Sequence, residues 1–232
     1  MTDTKKILTE MFVLQQKLND ETNGEGWESG YNKHNRIINW HRCIYMEGAE
    51  LIDSFNWKHW KDINIPPNWE NIKLELVDIW HFIMSLGLEH YKNQRLGGID
   101  DIVSFIVDTK YFDDFFLDSI TPDNEDYLSI INSVEHMMRD TINQESFHKI
   151  TDDFFSCAVE CGLSAEELYK FYIGKNILNG FRQDHGYKEG TYIKIWQGKE
   201  DNDVMMALLD EDSTLGAHGL YTKLSEAYAK IS

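Results

Sequence analysis

The sequence predicts an all-α protein, and two observations predict it. The most apolar stretch, Leu74–Leu88, has helical length and no turn signal inside it. Helix-start signals also recur down the chain, at Asn68, at Thr121-Pro122 and in the capping box Ser164-Ala-Glu-Glu167. Each segment that can be read clearly is helical.

Taken in order, Ile7, Met11, Leu14 and Leu18 have helical spacing, so a helix is expected over Lys6–Asp20. Gln16 and Asn19 share one side of it, and their amides both donate and accept, which suits reading a base edge. Asn23-Gly-Glu-Gly26 ends this helix, and Trp27–Asn35 reads as a loop. A second helix is expected over Ile37–Phe55. The segment Trp57-Lys-His-Trp-Lys61 follows, aromatic and basic together, a combination that can stack a base and hold phosphate. Pro66-Pro67 forces a break, and Asn68 caps a third helix that ends by Gly97-Gly98.

The third helix carries the chemistry. Leu74, Leu76, Val77, Ile79, Trp80 and Ile83 point all round its wheel, and such a helix is buried. Yet it holds Glu75 and Asp78, three apart and therefore neighbours on one face. A carboxylate in that setting must be protonated, paired or bound to a cation. No Lys or Arg stands three or four residues from either acid. Upstream, Glu47 and Glu50 repeat the spacing inside Ile44–Phe55. If the two helices pack antiparallel, four carboxylates meet, and a hard divalent cation with oxygen ligands resolves their repulsion, Mg²⁺ above all when phosphates supply further ligands.

Residues 99–148 are acidic and show no site. Phe112-Asp-Asp-Phe-Phe116 and Ile130-Ile-Asn-Ser-Val134 indicate modest helices there. A helix is expected from about Ala165 to Phe181, and Lys175, Asn179 and Arg182, at i, i+4 and i+7, form one stripe toward its end. The loop beyond it contains Gly186-Tyr-Lys-Glu-Gly190 and Thr191–Trp196. From Lys170 to Lys199 there are six basic residues against two acids, an excess of +4 in a chain of net charge -18. A Gly-hinged basic loop after a basic helix end suits a polyphosphate clamp. Two short amphipathic helices close the chain over Asp203–Ser232. The whole is read as one domain, residues 1–232, with a helical core at about 1–98 and 149–200, a more mobile helical cap at about 99–148, and C-terminal helices at about 201–232.

The charge balance, 40 acidic against 22 basic residues, argues against a nucleic-acid binder, which needs a basic face, and against an anionic membrane surface. Three cysteines without a C-x-x-C pair read as reduced cytoplasmic thiols. The start of the chain lacks the apolar core of a signal peptide, and no apolar run is long enough for a bilayer.

Together, Glu47-Gly-Ala-Glu50-Leu-Ile-Asp-Ser-Phe with Trp57-Lys-His-Trp-Lys61, Glu75-Leu-Val-Asp78-Ile-Trp-His81-Phe82, and Gly174-Lys175-Asn176 through Asn179 to Arg182 resemble the dimeric dUTPases of the all-α nucleoside triphosphate pyrophosphatases. The likeness is nearest to those of Campylobacter-type bacteria and weakest over about 99–148. It implies a helical bundle, a homodimer, and hydrolysis of dUTP and dUDP to dUMP. Glu47, Glu50, Glu75 and Asp78 would hold two or more Mg²⁺ ions, with Glu47 also orienting or deprotonating the attacking water. Gln16, Asn19 and His81 would read the uracil edge, and Phe82 would pack on the deoxyribose. Lys175, Asn179, Arg182, Tyr187 and Lys194 would grip phosphates, assisted by Lys58 and Lys61. The base contact of the Trp-rich segment stays open among Trp57, His59 and Trp60, because His59 stands where some relatives have Trp. Three other readings compete: a related pyrophosphatase acting on dCTP or a damaged nucleotide, a di-iron helical carboxylate protein using Glu145-Ser-Phe-His148, and a non-catalytic acidic binding protein.

Overall fold

The computed structural model describes residues 2–61, 65–116, 122, 127–212 and 215–231. Its helices are α1 (Thr2–Asn23), α2 (Trp40–Asp53), α3 (Trp69–Gln94), α4 (Ile99–Ile106), α5 (Phe112–Phe115), α6 (Tyr127–Ile142), α7 (Phe147–Glu160), α8 (Ala165–Asp184), α9 (Asp201–Glu211) and α10 (Ala217–Tyr228). The all-α class is therefore as expected. A two-stranded hairpin, β1 (Ile195–Trp196) with β2 (Lys199–Glu200), is the exception. It turns on Gln197 and Gly198, both at positive φ, the backbone of a tight hairpin turn. Thr191–Trp196 has too little alternation to announce a strand, so its reading as loop is corrected only at its last two residues.

The chain forms two compact units, Met1–Leu168 and Tyr169–Ser232. In the first, α3 is the axis. It packs against α2 most extensively, and against α1, α4 and α7. Trp80 is fully buried, stacked on Phe154 at 5.1 Å and meeting the edge of Phe12 at 6.2 Å. Burying each such side chain stabilises the fold by about 1.5–3 kcal/mol. Residues 99–142 belong to this unit as well, with α4 on α1 and α3, and α6 on α2 and α7. In the second unit, Tyr172, Leu178, Phe181, Trp196 and Met205 form the buried core.

The caps follow local chemistry. The Asn39 side chain accepts from the Arg42 amide at 2.8 Å, so α2 begins at Trp40 and not at Ile37. Asn68 accepts from the Asn71 amide at 3.2 Å, as its position before α3 predicts. The capping box is formed at α8: the Glu167 amide donates to Ser164 Oγ at 3.2 Å, and the Ser164 amide to Glu167 Oε2 at 3.0 Å. Glu167 also takes the Lys73 ammonium at 2.6 Å. The N-cap expected at Thr121 lies outside the described residues. One expectation for α1 is corrected. Its buried face is Leu8, Met11, Phe12, Gln15 and Asn19, and not the stripe through Ile7, Leu14 and Leu18. Aliphatic spacing pointed the wrong way because two buried positions of the true face are amides.

Two glycines give opposite expectations. A Cβ on Gly87 of α3 would lie 2.8 Å from ring atoms of Phe147, itself packed by Tyr91 and Phe105. The gain of about 1 kcal/mol in helix propensity for Ala is outweighed by overpacking of about 1–3 kcal/mol. A Cβ on Gly180 of α8 meets nothing within 4 Å. Urea melts should show Gly87→Ala destabilised, and Gly180→Ala stabilised by about 1 kcal/mol.

Candidate active site

Helices α2 and α3 bring Glu47, Glu75 and Asp78 together. Each offers one carboxylate oxygen, and these oxygens lie within 4.8 Å of one another. The position of the group follows from α3. Residues 75, 78 and 82 form the one stripe of its central turns that is half-buried, while its other faces are sealed in the core. Asn71, one turn before Glu75, donates to Glu75 Oε1 at 3.0 Å and to Ser54 Oγ at 2.7 Å, which ties the acid to the end of α2. The fourth expected carboxylate, Glu50, is on the same helix as Glu47 but is exposed and stands outside this three-membered group.

Hard oxygen donors at this separation fit a hard divalent cation. A second group of possible ligands, His136, Asp140 and Asp153, differs in one respect. The Lys149 ammonium already sits against both acids, 3.0 Å from Asp140 and 2.6 Å from Asp153. A resident cation from the chain itself makes it an ion-pair network. For the di-iron reading, neither Glu145 nor His148 joins a cluster of possible ligands among the described residues, and His148 stacks on Phe105 at 3.7 Å.

One turn beyond Asp78 the polar chemistry continues. Gln15, Asn19, His81 and Ser85 form a buried network between α1 and α3. Gln15 Nε2 and Asn19 Nδ2 each donate to Ser85 Oγ at 3.0 Å. Asn19 and His81 thus belong to one network, linked through Gln15 and Ser85. Gln16 does not join them: its amide donates to Asp20 at 3.0 Å and to Glu28 at 3.4 Å. Gln15 takes the inner place, and Ser85 was missed although a hydroxyl in so apolar a helix signals a buried partner. Phe82 stacks on Trp40 at 6.1 Å. In the Trp-rich segment, Trp57, His59, Trp60 and Lys61 are exposed, with Trp60 edge-on to both Trp57 and His59, while Lys58 pairs with Asp53.

In the second unit the expected phosphate stripe is present and already engaged. Arg182 turns its fork onto Asp201, two bonds of 2.8 Å, and donates to Asn179 Oδ1 at 3.1 Å. Lys175 is buried and donates to Asn202 Oδ1 at 3.2 Å. Tyr187 is exposed beneath the Arg182 guanidinium, and Lys194 pairs with Glu200 at 3.5 Å. Burial raises the Asp201 carboxyl, but the Arg182 bonds and charge outweigh it and hold the group below the usual range. Breaking such a pair costs about 3–5 kcal/mol. Asp201 was missed because one acid among 40 carries no signal of its own.

The family profile of the dUTPases matches residues 7–187. The chain belongs to the dUTPase family. No curated protein matches it significantly. This dUTPase is a dUTP diphosphatase. At about 4 Å, two like charges repel by about 4 kcal/mol near a protein surface. A cation placed between such carboxylates would offset that repulsion, so the Glu47, Glu75 and Asp78 group is metal-competent.

Two expectations follow. Removing one charge of the group without changing its shape, Asp78→Asn, should not lower the melting temperature in EDTA and should raise it. With Mg²⁺ and a non-hydrolysable dUTP analogue the order should reverse, because only the native site gains the full binding free energy. Further along the same stripe, burial and then the charge of Glu28 push the Glu89 carboxyl up from 4.5 to about 7. Between those values the folded state keeps a proton that the unfolded chain has lost, so stability falls as pH rises. Melts of Glu89→Gln across pH 4–8 should lack that fall and exceed wild type at the alkaline end.

Proposed function

We propose that this dUTPase hydrolyses dUDP as well as dUTP, in both cases to dUMP, and depends on Mg²⁺. The observation that carries the reading is the convergence of Glu47, Glu75 and Asp78 from α2 and α3 within 4.8 Å. These three would hold the metal, with Glu50 completing the set when substrate is present. A bound Mg²⁺ supplies charge neutralisation on the phosphate oxygens and acidifies water. The residues do the rest. Glu47 orients the attacking water and takes its proton, while Asn71 keeps Glu75 turned into the group. Lys175, Asn179, Arg182, Tyr187 and Lys194, with Lys58 and Lys61, would neutralise charge on the phosphates and on the leaving group, pyrophosphate from dUTP and phosphate from dUDP. Asn19 and His81 would read the uracil edge, with Gln15 in the same network and Gln16 turned toward Asp20 and Glu28. Phe82 would form the apolar wall against which a ribose 2′-hydroxyl goes unpaired. The base contact of Trp57, His59 or Trp60 is assigned to the segment as a whole.

The sequence resemblance further supports a homodimer, and the three free cysteines a reducing cytoplasm. No helix among the described residues is long and apolar enough to cross a membrane.

Glu47→Gln should keep nucleotide affinity within about tenfold, or about 1.4 kcal/mol, while losing most turnover. Wild-type activity should vanish in EDTA and return with Mg²⁺, and dUDP should be cleaved alongside dUTP. Near-native turnover by Glu47→Gln, or dUDP left intact while dUTP is consumed, would count against the assignment.

A further inference from the structure

Ser85 sits at the centre of the Gln15–Asn19–His81 network, on α3 one turn beyond His81, and is fully buried. A hydroxyl has one hydrogen to donate and two lone pairs to accept with. All three are committed. Ser85 Oγ donates to the His81 carbonyl at 2.9 Å and accepts from Gln15 Nε2 and from Asn19 Nδ2, both at 3.0 Å.

That commitment decides the orientation of both amides. With its hydrogen spent on the backbone, the hydroxyl offers only lone pairs, so each amide must turn its NH₂ toward it. Gln15 is then obliged to aim Oε1 the other way, onto His81 Nδ1 at 2.7 Å. An amide oxygen only accepts, so Nδ1 carries the proton. In the neutral ring this leaves Nε2 an acceptor. The Asn19 oxygen is fixed by the same logic, on the side of the second Gln15 hydrogen at 3.4 Å.

We infer that Ser85 is the positioning residue that sets base specificity: it fixes the two amides and, through Gln15, the His81 tautomer, so that the network presents the donor and acceptor pattern matching a uracil edge and opposing a cytosine edge. The two bases differ in this respect. Uracil offers N3–H as a donor between two carbonyl acceptors, whereas cytosine offers N3 as an acceptor beside an amino donor. An acceptor at His81 Nε2 suits the first and repels the second. An amide free to flip would suit either base equally. The inference rests on the proposal that Asn19 and His81 read the base.

The test uses the whole enzyme with three variants. In wild type at pH 8.5, where imidazole is ordinarily neutral, long-range ¹H–¹⁵N spectra should show His81 protonated at Nδ1. In folded Ser85→Ala that signal should give way to a mixture of tautomers. The dUTP over dCTP ratio of kcat/KM should fall about tenfold or more, with kcat for dUTP within about threefold because the carboxylates are untouched. Should Ser85→Ala not fold, Ser85→Cys keeps the shape with a much poorer acceptor and is read in the same way. An unchanged Nδ1–H signal in either variant overturns the inference, whatever reads the base. Asn19→Ala separates the two levels. If it leaves the nucleotide ratio unchanged, the base-reading proposal fails, and the inference with it. If it lowers the ratio while Ser85→Ala does not, only the inference fails.

Discussion

One constraint governs the first unit: α3 is sealed in the core on most of its circumference and still carries carboxylates. A helix apolar all round has no orientation preference of its own. Glu75 and Asp78 supply one, because burying either without a partner is prohibitive. They fix which stripe of α3 stays half-open, and that stripe must face the helix bearing Glu47. The pairing of α2 with α3, the most extensive in the unit, is thus set as much by charge placement as by apolar fit. Asn71 and Ser54 brace the junction.

The same pattern of polar groups held at defined angles recurs elsewhere. Ser85 gathers two amides, Lys149 gathers two carboxylates, and Asp201 holds one guanidinium by two bonds. Ser85 and Asp201 are buried with their bonds made, as a low-dielectric interior demands, whereas Lys149 is partly exposed and holds buried Asp140 from the rim. Their purposes differ. Lys149 closes off a cluster that would otherwise compete for cations. Asp201 keeps Arg182 in one geometry.

Much of this was legible from residue order. The helices of the core announced themselves because apolar period and caps agreed, as at Asn68 and Ser164. The carboxylate pairs stood out because acids are incongruous on apolar helices. Legibility failed where one residue type plays two roles. Gln15 and Gln16 are adjacent and identical, and only the turn of α1 decides which faces inward. Glu50 stands three residues from Glu47, as Asp78 does from Glu75, yet it is exposed and lies outside the three-membered group, so spacing alone does not decide membership. Asp201 is adjacent to Arg182 solely through tertiary structure. The hairpin at Gln197-Gly198 is too short to impose a period.

Helix α3 also acts as a ruler. Glu75 and Asp78 lie on the same rod as His81, Phe82 and Ser85, with a rise of about 1.5 Å per residue. From Glu75 to Phe82 is therefore about 10 Å along the helix axis, on the scale of a nucleotide from base to phosphate. On the proposed assignment, the gap between the residues that would inspect a base and those that would meet its phosphates is written as a number of residues. No hinge lies between the two, so length itself becomes a criterion of selection. One inserted residue would swing one group about 100° away from the other, leaving each intact and the pair unable to hold one molecule.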